Sequence, residues 1–302
     1  CWLYTKRLLK SCDLGRPTIC VGNITVGGTG KTPVVQWVVS YLKSQGLKPA
    51  ILTRGYMAQT GAGRGSQFSD EAVLLSESTN VPVVVGPDRC SGALRAIREH
   101  NPDIFVMDDG FQHWRARRDL DIVVINAANP FGNGEVLPRG VLREPLSALK
   151  RADIFVLNKV DMAGRRAAET ESLLKKMFPA TPIVLSAYRI AGCQDLSGRD
   201  LQISEMEQAG PVFLISSIGD PQSFQAVLRN HSVSVAGSRC FPDHHMYSGK
   251  DVVEVCDEMQ KAGVRRLCVT HKDAVKLREF QGEFRDRNMV CLVIFIQVVI
   301  DH

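Results

Sequence analysis

The sequence predicts an α/β fold: a mostly parallel sheet with helices on both faces, followed by a smaller C-terminal α/β unit. Three observations predict it. Short, nearly continuous apolar runs rich in Val and Ile alternate with helical patterns along the chain, as strands buried on both faces require. A glycine-rich string, Thr25-Val26-Gly27-Gly28-Thr29-Gly30-Lys31-Thr32-Pro33, separates one such run from the helical stretch that follows. A later run ends in two adjacent carboxylates, Asp108-Asp109.

Taken in order, Thr18-Ile19-Cys20-Val21 reads as the first strand, and Val34 to Val39 as a buried helix. Pro33 suits the first helical turn, where a missing N–H costs nothing. Ala50 to Thr53 is a second strand, ending at Arg54-Gly55-Tyr56, and the glycine-rich stretch from Met57 to Gln67 a loop. Ser69 can cap a helix with Asp70 and Glu71 in its first turn. Val81 to Val85 is a strand, Arg89 to His100 a helix, and Ile104 to Met107 the strand that runs into Asp108-Asp109-Gly110-Phe111-Gln112-His113. Further strands are predicted at Ile122–Ile125, Ile154–Leu157 and Ile183–Leu185. From about Asp195 to Gly210 the chain turns polar and strand-poor, which predicts a boundary. Beyond it come a strand at Val212–Ile215, a helix opened by Pro221, a strand at Val233–Val235, a helix from Gly249 to Ala262, and strands at Leu267–Thr270 and Met289–Ile300. The division expected is a basic, amphipathic segment over 1–15, a nucleotide-binding domain over 16–205, and a smaller α/β domain over 206–302 that closes over the site.

The 302 residues are 44% hydrophobic and 23% charged, a globular composition with enough chain for one large or two modest cores. The net charge is +5, a mild excess that suits an anionic substrate or membrane surface and not bulk nucleic-acid binding. Nine cysteines are scattered singly with no C-x-x-C, which predicts reduced thiols and neither a zinc site nor a disulfide framework. No segment reaches the ~18–20 apolar residues of a membrane-spanning helix. The opening Trp2-Leu3-Tyr4 with Lys6-Arg7-Leu8-Leu9-Lys10 has the spacing of a helix that either lies on an anionic membrane or packs on its own domain. The sequence starts at Cys1 rather than Met, which leaves room for a preceding targeting segment.

A strand, a glycine-rich turn and Gly-Lys-Thr opening a helix form the context of a phosphate-binding P-loop. Glycines let the backbone approach a phosphate, and N–H groups at the helix start face it with the positive end of the dipole. Thr25 to Thr32 is therefore the expected nucleotide site, with Lys31 on the β/γ-phosphates and the Thr32 hydroxyl on Mg²⁺. Asp108 and Asp109, at the carboxyl edge of a strand beside that loop, either supply one carboxylate that holds the metal or form a turn acid pair that caps the strand. Asp70 and Glu71 either complement their helix dipole or offer a carboxylate that takes a proton from an attacking hydroxyl. Asp243-His244-His245 offers a histidine with an orienting acid, or a surface cluster. Arg115, Arg117, Arg118 and Arg143-Glu144 either hold an anionic group or form a solvated face. Asn158-Lys159-Val160-Asp161 matches the N-K-x-D element with which GTPases read guanine. The D-x-x-G that should accompany it is missing, since Phe111 or Gln112 stands in the glycine position.

Together these residues resemble the tetraacyldisaccharide 4′-kinase family of lipid A biosynthesis. The resemblance rests on Val21 to Pro33, Thr53-Arg54-Gly55-Tyr56, Asp70-Glu71-Ala72, Asp108 to His113, Leu137-Pro138, Leu142-Arg143-Glu144-Pro145 and Phe241-Pro242-Asp243-His244. It implies a P-loop NTPase-type kinase that moves the γ-phosphate of ATP to the 4′-hydroxyl of an acylated disaccharide 1-phosphate. In that reading Asp70 is the base, supported by His244; Lys31 is catalytic. Thr32, Asp108, Asp109 and Glu71 surround Mg²⁺, and Arg54, Gln112, His113, Arg143 and Glu144 face the substrate. The amino-terminal segment would anchor the protein peripherally on the ATP-containing face of an inner membrane, bacterial or, for an organellar member, mitochondrial. No nucleic acid or protein partner is expected. The sequence departs from the family pattern at Ser69, Asn126, Arg139 and Val141, which bears on substrate positioning. The runner-up is a P-loop GTPase or assembly factor using Asn158-Lys159-Val160-Asp161.

Overall fold

The computed structural model describes residues 11–55, 70–208, 210–243 and 245–300. The chain divides into two compact units, the first running to Ala187 and taking in the chain end from Ile300, the second spanning Tyr188–Val299.

The first unit is built on parallel strands β1 (Thr18–Gly22), β2 (Pro49–Thr53), β3 (Val83–Val85), β4 (Ile104–Asp108), β5 (Leu120–Asn126), β6 (Ile154–Asn158) and the start of β7 (Ile183–Asp195). Their order across the sheet is β7-β6-β5-β1-β4-β2-β3. β1 lies between β4 and β5, with Val21 opposite Asp108 on one side and Ile122 on the other. The chain steps outward from β1 in both directions, so β1 is the point at which strand order reverses, and the crevice at its carboxyl end is where such sheets bind ligands. Helices α1 (Lys31–Ser44), α2 (Asp70–Thr79), α3 (Arg89–His100), α4 (Val160–Ala163) and α5 (Arg165–Met177) supply the crossovers. Val34, Val35, Val38, Val39 and Leu42 give α1 its apolar face. Ala50, Leu52, Phe105, Met107, Val123, Ile125, Phe155 and Leu157 form a core that leaves water almost completely.

The second unit contains the end of β7, β8 (Asp200–Leu201), α6 (Ile203–Gln208), β9 (Val212–Ser216), α7 (Pro221–Asn230), β10 (Val235–Cys240), α8 (Gly249–Lys261), β11 (Arg266–Thr270), α9 (His271–Leu277), α10 (Gln281–Asp286) and β12 (Val290–Ile300). β10, β9, β11 and β12 are neighbours in that order and parallel. Val252, Val255, Cys256 and Met259 of α8 pack with Leu267, Val269 and Val293.

Two expectations need correction. The boundary between compact units falls inside β7 at Ala187/Tyr188, not near 205. β7 is 13 residues long and continues far past the apolar triplet that announced it, so one strand supplies residues to both units. Cys12 and Cys90 form a disulfide across 78 residues, with Cα atoms 6.4 Å apart, where scattered spacing predicts only thiols. Residue 12 pairs with Ala116, and Cys90 sits in the first turn of α3; this proximity is tertiary and leaves no mark in the spacing. Cys20, Cys193, Cys240, Cys256, Cys268 and Cys291 are free. Residues 1–10 and Tyr56 to Ser69 lie outside the described residues. Among the described residues no helix is long and apolar enough to cross a membrane.

Candidate active site

The phosphate loop begins where β1 ends. Gly22 packs so closely on the turn that follows β4 that a Cβ there would meet Phe111 Cβ at 2.6 Å. Buried Asn23 then ties the loop to itself: its Nδ2 donates to Thr25 O and to Thr29 Oγ1, both at 2.9 Å. Gln112 Nε2 donates to Asn23 O at 2.8 Å, which joins the loop to the segment after β4. Gly30, at φ 87°, makes the left-handed turn into α1, a conformation that favours glycine. Lys31 and Thr32 therefore sit in the first helical turn, where unpaired N–H groups and the helix dipole favour an anion.

Asp109 follows β4 with φ 51° and receives two cations. Lys31 Nζ lies 3.4 Å from its Oδ1, and Arg143 Nη1 donates to both carboxylate oxygens at 2.9 and 2.8 Å. Arg143 is delivered by a backbone graft onto the loop, in which Val26 N donates to Val141 O at 2.8 Å and Arg143 N to Ile24 O at 2.6 Å. Burial alone would raise the Asp109 pKa, but Lys31 and Arg143 outweigh it and hold the carboxyl below its ordinary range. Asp108 is buried and its Oδ2 accepts the Thr53 hydroxyl at 3.1 Å.

The other expected residues are placed as follows. α2 begins at Asp70, at the start of a crossover from β2, but the side chains of Asp70 and Glu71 lie outside what is described. Arg54 is exposed just past β2. His113 is half-buried; burial first, then the Arg89 and Arg118 cations, push its pKa down, and its buried Nε2 has no hydrogen-bond partner among the described residues. Glu144 is taken up by Arg151, whose Nη1 and Nη2 donate to it at 2.8 and 3.2 Å. The Arg151 guanidinium lies over Phe111 and Trp114, 4.2 and 4.1 Å from the ring centroids, so this pair braces the Asp-Asp-Gly-Phe-Gln-His segment. Among the described residues no group of three or more His, Cys, Asp or Glu is arranged to hold a metal.

In the second unit, His244 lies outside the described residues, but its flanks are held firmly. Asp243 accepts from Lys272 Nζ at 3.1 Å. His245 stacks on Phe241 with ring centroids 4.7 Å apart and meets Asp251 Oδ2 at 3.2 Å. Lys276 Nζ donates to His245 O at 3.0 Å and to Ser217 Oγ at 3.1 Å. Fully buried Asp273 accepts from Ser217 Oγ, Thr270 Oγ1 and Tyr247 OH at 2.6, 2.7 and 3.0 Å.

Several residues of consequence escaped the sequence reading. Arg89 is almost fully buried and donates to Gly86 O at 2.7 Å. Burial lowers its pKa while the charges of Asp108 and Asp109 oppose the shift. Asn23, Arg151 and the buried pair Asn158 and Lys159 also act around the loop; Asn158-Lys159 carried a signal, which pointed to guanine.

Comparison with known proteins gives a consistent result. A family model described as tetraacyldisaccharide-1-P 4′-kinase (LpxK) matches residues 1–302. A tetraacyldisaccharide 4′-kinase of Pelobacter propionicus is 36% identical over 298 residues, covering 94% of this chain and 80% of its own length. One from Bdellovibrio bacteriovorus is 35% identical over 288 residues, covering 92% of this chain and 84% of its own. The crystal structure of LpxK from Aquifex aeolicus in complex with ATP aligns with TM-score 0.73 at 26% identity, over 100% of this chain and 89% of that one.

Proposed function

The chain belongs to the tetraacyldisaccharide-1-P 4′-kinase family, and on that premise we propose how its residues perform the reaction. The protein is an ATP-dependent kinase of lipid A biosynthesis that phosphorylates the 4′-hydroxyl of a tetraacyldisaccharide 1-phosphate. The observation that carries the residue assignment is the Lys31–Asp109–Arg143 cluster at the mouth of a glycine-turned helix start.

Phosphoryl transfer needs positioning and charge neutralisation more than covalent chemistry. The backbone N–H groups at the start of α1 hold the phosphates, and Lys31 spreads positive charge over the transferring group. Asp109 keeps Lys31 extended toward that position, and Arg143 shares the carboxylate so that neither charge is left uncompensated in a partly buried site. Asp70, on the crossover helix that starts at the same edge of the sheet, takes the proton of the attacking 4′-hydroxyl. His244 is proposed to assist it. The oxygen donors Thr32, Asp108 and Asp109, with Glu71, are chemically suited to Mg²⁺. Held there, a divalent cation would supply charge stabilisation to the transferring phosphate. Arg54, Gln112 and His113 are proposed to face the sugar-phosphate substrate, and the amino-terminal segment to rest on an anionic inner-membrane surface.

A phosphotransfer assay with ATP, Mg²⁺ and a tetraacylated disaccharide 1-phosphate, read by mass spectrometry, tests the reaction. Asp70→Ala is expected to lower kcat by about two to four orders of magnitude, the usual contribution of a general base, with ATP binding retained. Unchanged turnover would refute the assignment of the base. Deleting residues 1–10, which keeps Cys12 and its disulfide, should release the protein from anionic vesicles, and retained binding would place the membrane contact elsewhere.

A further inference from the structure

Two buried side chains at the end of β6 reach into the phosphate loop and have no role in the reaction as described. Asn158 Nδ2 donates to Thr29 O at 2.9 Å, and Lys159 Nζ donates to Gly28 O at 2.6 Å. Asn158 is 0% and Lys159 3% exposed. Asn158 is itself fixed, its Oδ1 accepting from Lys159 N at 2.9 Å and from Ser186 Oγ at 3.0 Å. Lys159 holds a φ of 64°, a left-handed conformation that a side chain like lysine adopts only where its surroundings impose it.

The geometry has a direct consequence for the loop. In a planar trans peptide the carbonyl and the following N–H point in opposite directions. Anchoring Thr29 O therefore directs the Gly30 N–H, and anchoring Gly28 O fixes the turn that Thr29 N closes on Gly27 O at 3.0 Å. With Asn23 holding Thr25 O, the carbonyls of Thr25, Gly28 and Thr29 are all claimed by buried side chains. A glycine-rich segment has many alternative conformations, and these anchors remove them before a phosphate arrives. The Lys159 ammonium also adds positive charge behind the cradle.

We propose that Lys159, together with Asn158, is a positioning residue of the phosphate site, which holds the loop ready for a triphosphate whatever base is attached. This rests on the reading that the loop binds the phosphates of ATP. The N-K pair is then explained by the loop it braces and not by guanine.

The test uses the full chain with Lys159→Met and Asn158→Asp. The second variant keeps the acceptor for Lys159 N and Ser186 Oγ but replaces the donor to Thr29 O with a repelling oxygen. Calorimetry would measure binding of Mg-ATP, Mg-GTP and inorganic tripolyphosphate, alongside kcat and KM for ATP and thermal melting. Both variants are expected to weaken all three ligands by a common factor of about tenfold or more, as loss of a buried hydrogen bond to a charged group does. KM for ATP should rise by that factor while kcat at saturating ATP falls far less. Unchanged affinities in either folded variant overturn the proposal. A loss confined to the two nucleotides, unequal between them and absent for tripolyphosphate, overturns it in favour of base reading. If the wild-type protein binds neither ATP nor tripolyphosphate, the reading of the loop itself fails; if it binds and turns over while the variants match it, only the positioning role fails.

Discussion

Asp109 shares one carboxylate between Lys31 and Arg143, and the balance among these three groups sets a pH dependence. Burial works against ionisation, yet the cations keep the group below its ordinary range. A carboxylate held low in the fold contributes stability above its unfolded pKa of about 4, and that contribution is lost as pH falls through the lowered value. Replacing Arg143 by Met leaves burial opposed by Lys31 and the charge of Arg89 without the paired guanidinium, so the Asp109 pKa must rise. We expect the acidic limb of kcat/KM to move to higher pH in Arg143→Met and to move less in Arg143→Lys. A limb that stays in place would mean Asp109 does not titrate in it. Much of this site was legible residue by residue, because Gly-Lys-Thr and Asp-Asp announce themselves by type and order. Arg89 and Arg151 did not, since a buried guanidinium inside a helical stretch looks like any surface charge until its partners are known.

At the level of elements, the β10–α8 connection is terminated by a complete capping box. Ser248 Oγ accepts from Asp251 N at 3.2 Å, and Asp251 Oδ2 accepts from Ser248 N at 2.8 Å. The Ser248 hydroxyl and N–H, then His245, lower the Asp251 pKa to about 2. Its contribution is therefore complete above about pH 4 and fades as pH falls toward that value. Asp251→Asn should cost about 1 kcal/mol at pH 7, the worth of an N-terminal cap, with the difference shrinking in acid; urea unfolding at the two pH values measures it. A gap of equal size at both would rule out the ionised carboxylate as the cause. The elements themselves were largely readable. Arg89–His100 was found to the residue, because Asp88 caps it and left-handed Asn101 ends it. The sequence places β10 too early and ends β7 too soon, because β10 has no buried position, β7 mixes buried and exposed ones, and neither carries a continuous apolar run along its length. Strand order could not be read at all: parallel neighbours are chosen by crossovers, and nothing local in Thr18–Gly22 says that it will lie between β4 and β5.

Across the whole molecule, the proposed roles divide between the two compact units. Every residue assigned to the phosphates, from Thr25 to Thr32 with Asp108 and Asp109, belongs to the first. His244 belongs to the second, in a segment whose flanks are pinned by Lys272, Lys276 and Asp251. Groups that hold the ground-state nucleotide and groups that act only as the proton moves should leave different kinetic traces. Lys31→Ala removes a charge that serves both states, so ATP affinity and kcat should fall together. His244→Ala removes help needed only in the transition state, so ATP affinity measured by calorimetry should stay within about twofold while kcat falls about tenfold to a hundredfold, a modest share of what a proton-transfer group supplies. Because Asp70 and His244 are assigned to one proton transfer, their losses should not add: Asp70→Ala with His244→Ala should be little slower than Asp70→Ala alone. Full additivity in that cycle would separate the two residues and remove His244 from the proton transfer.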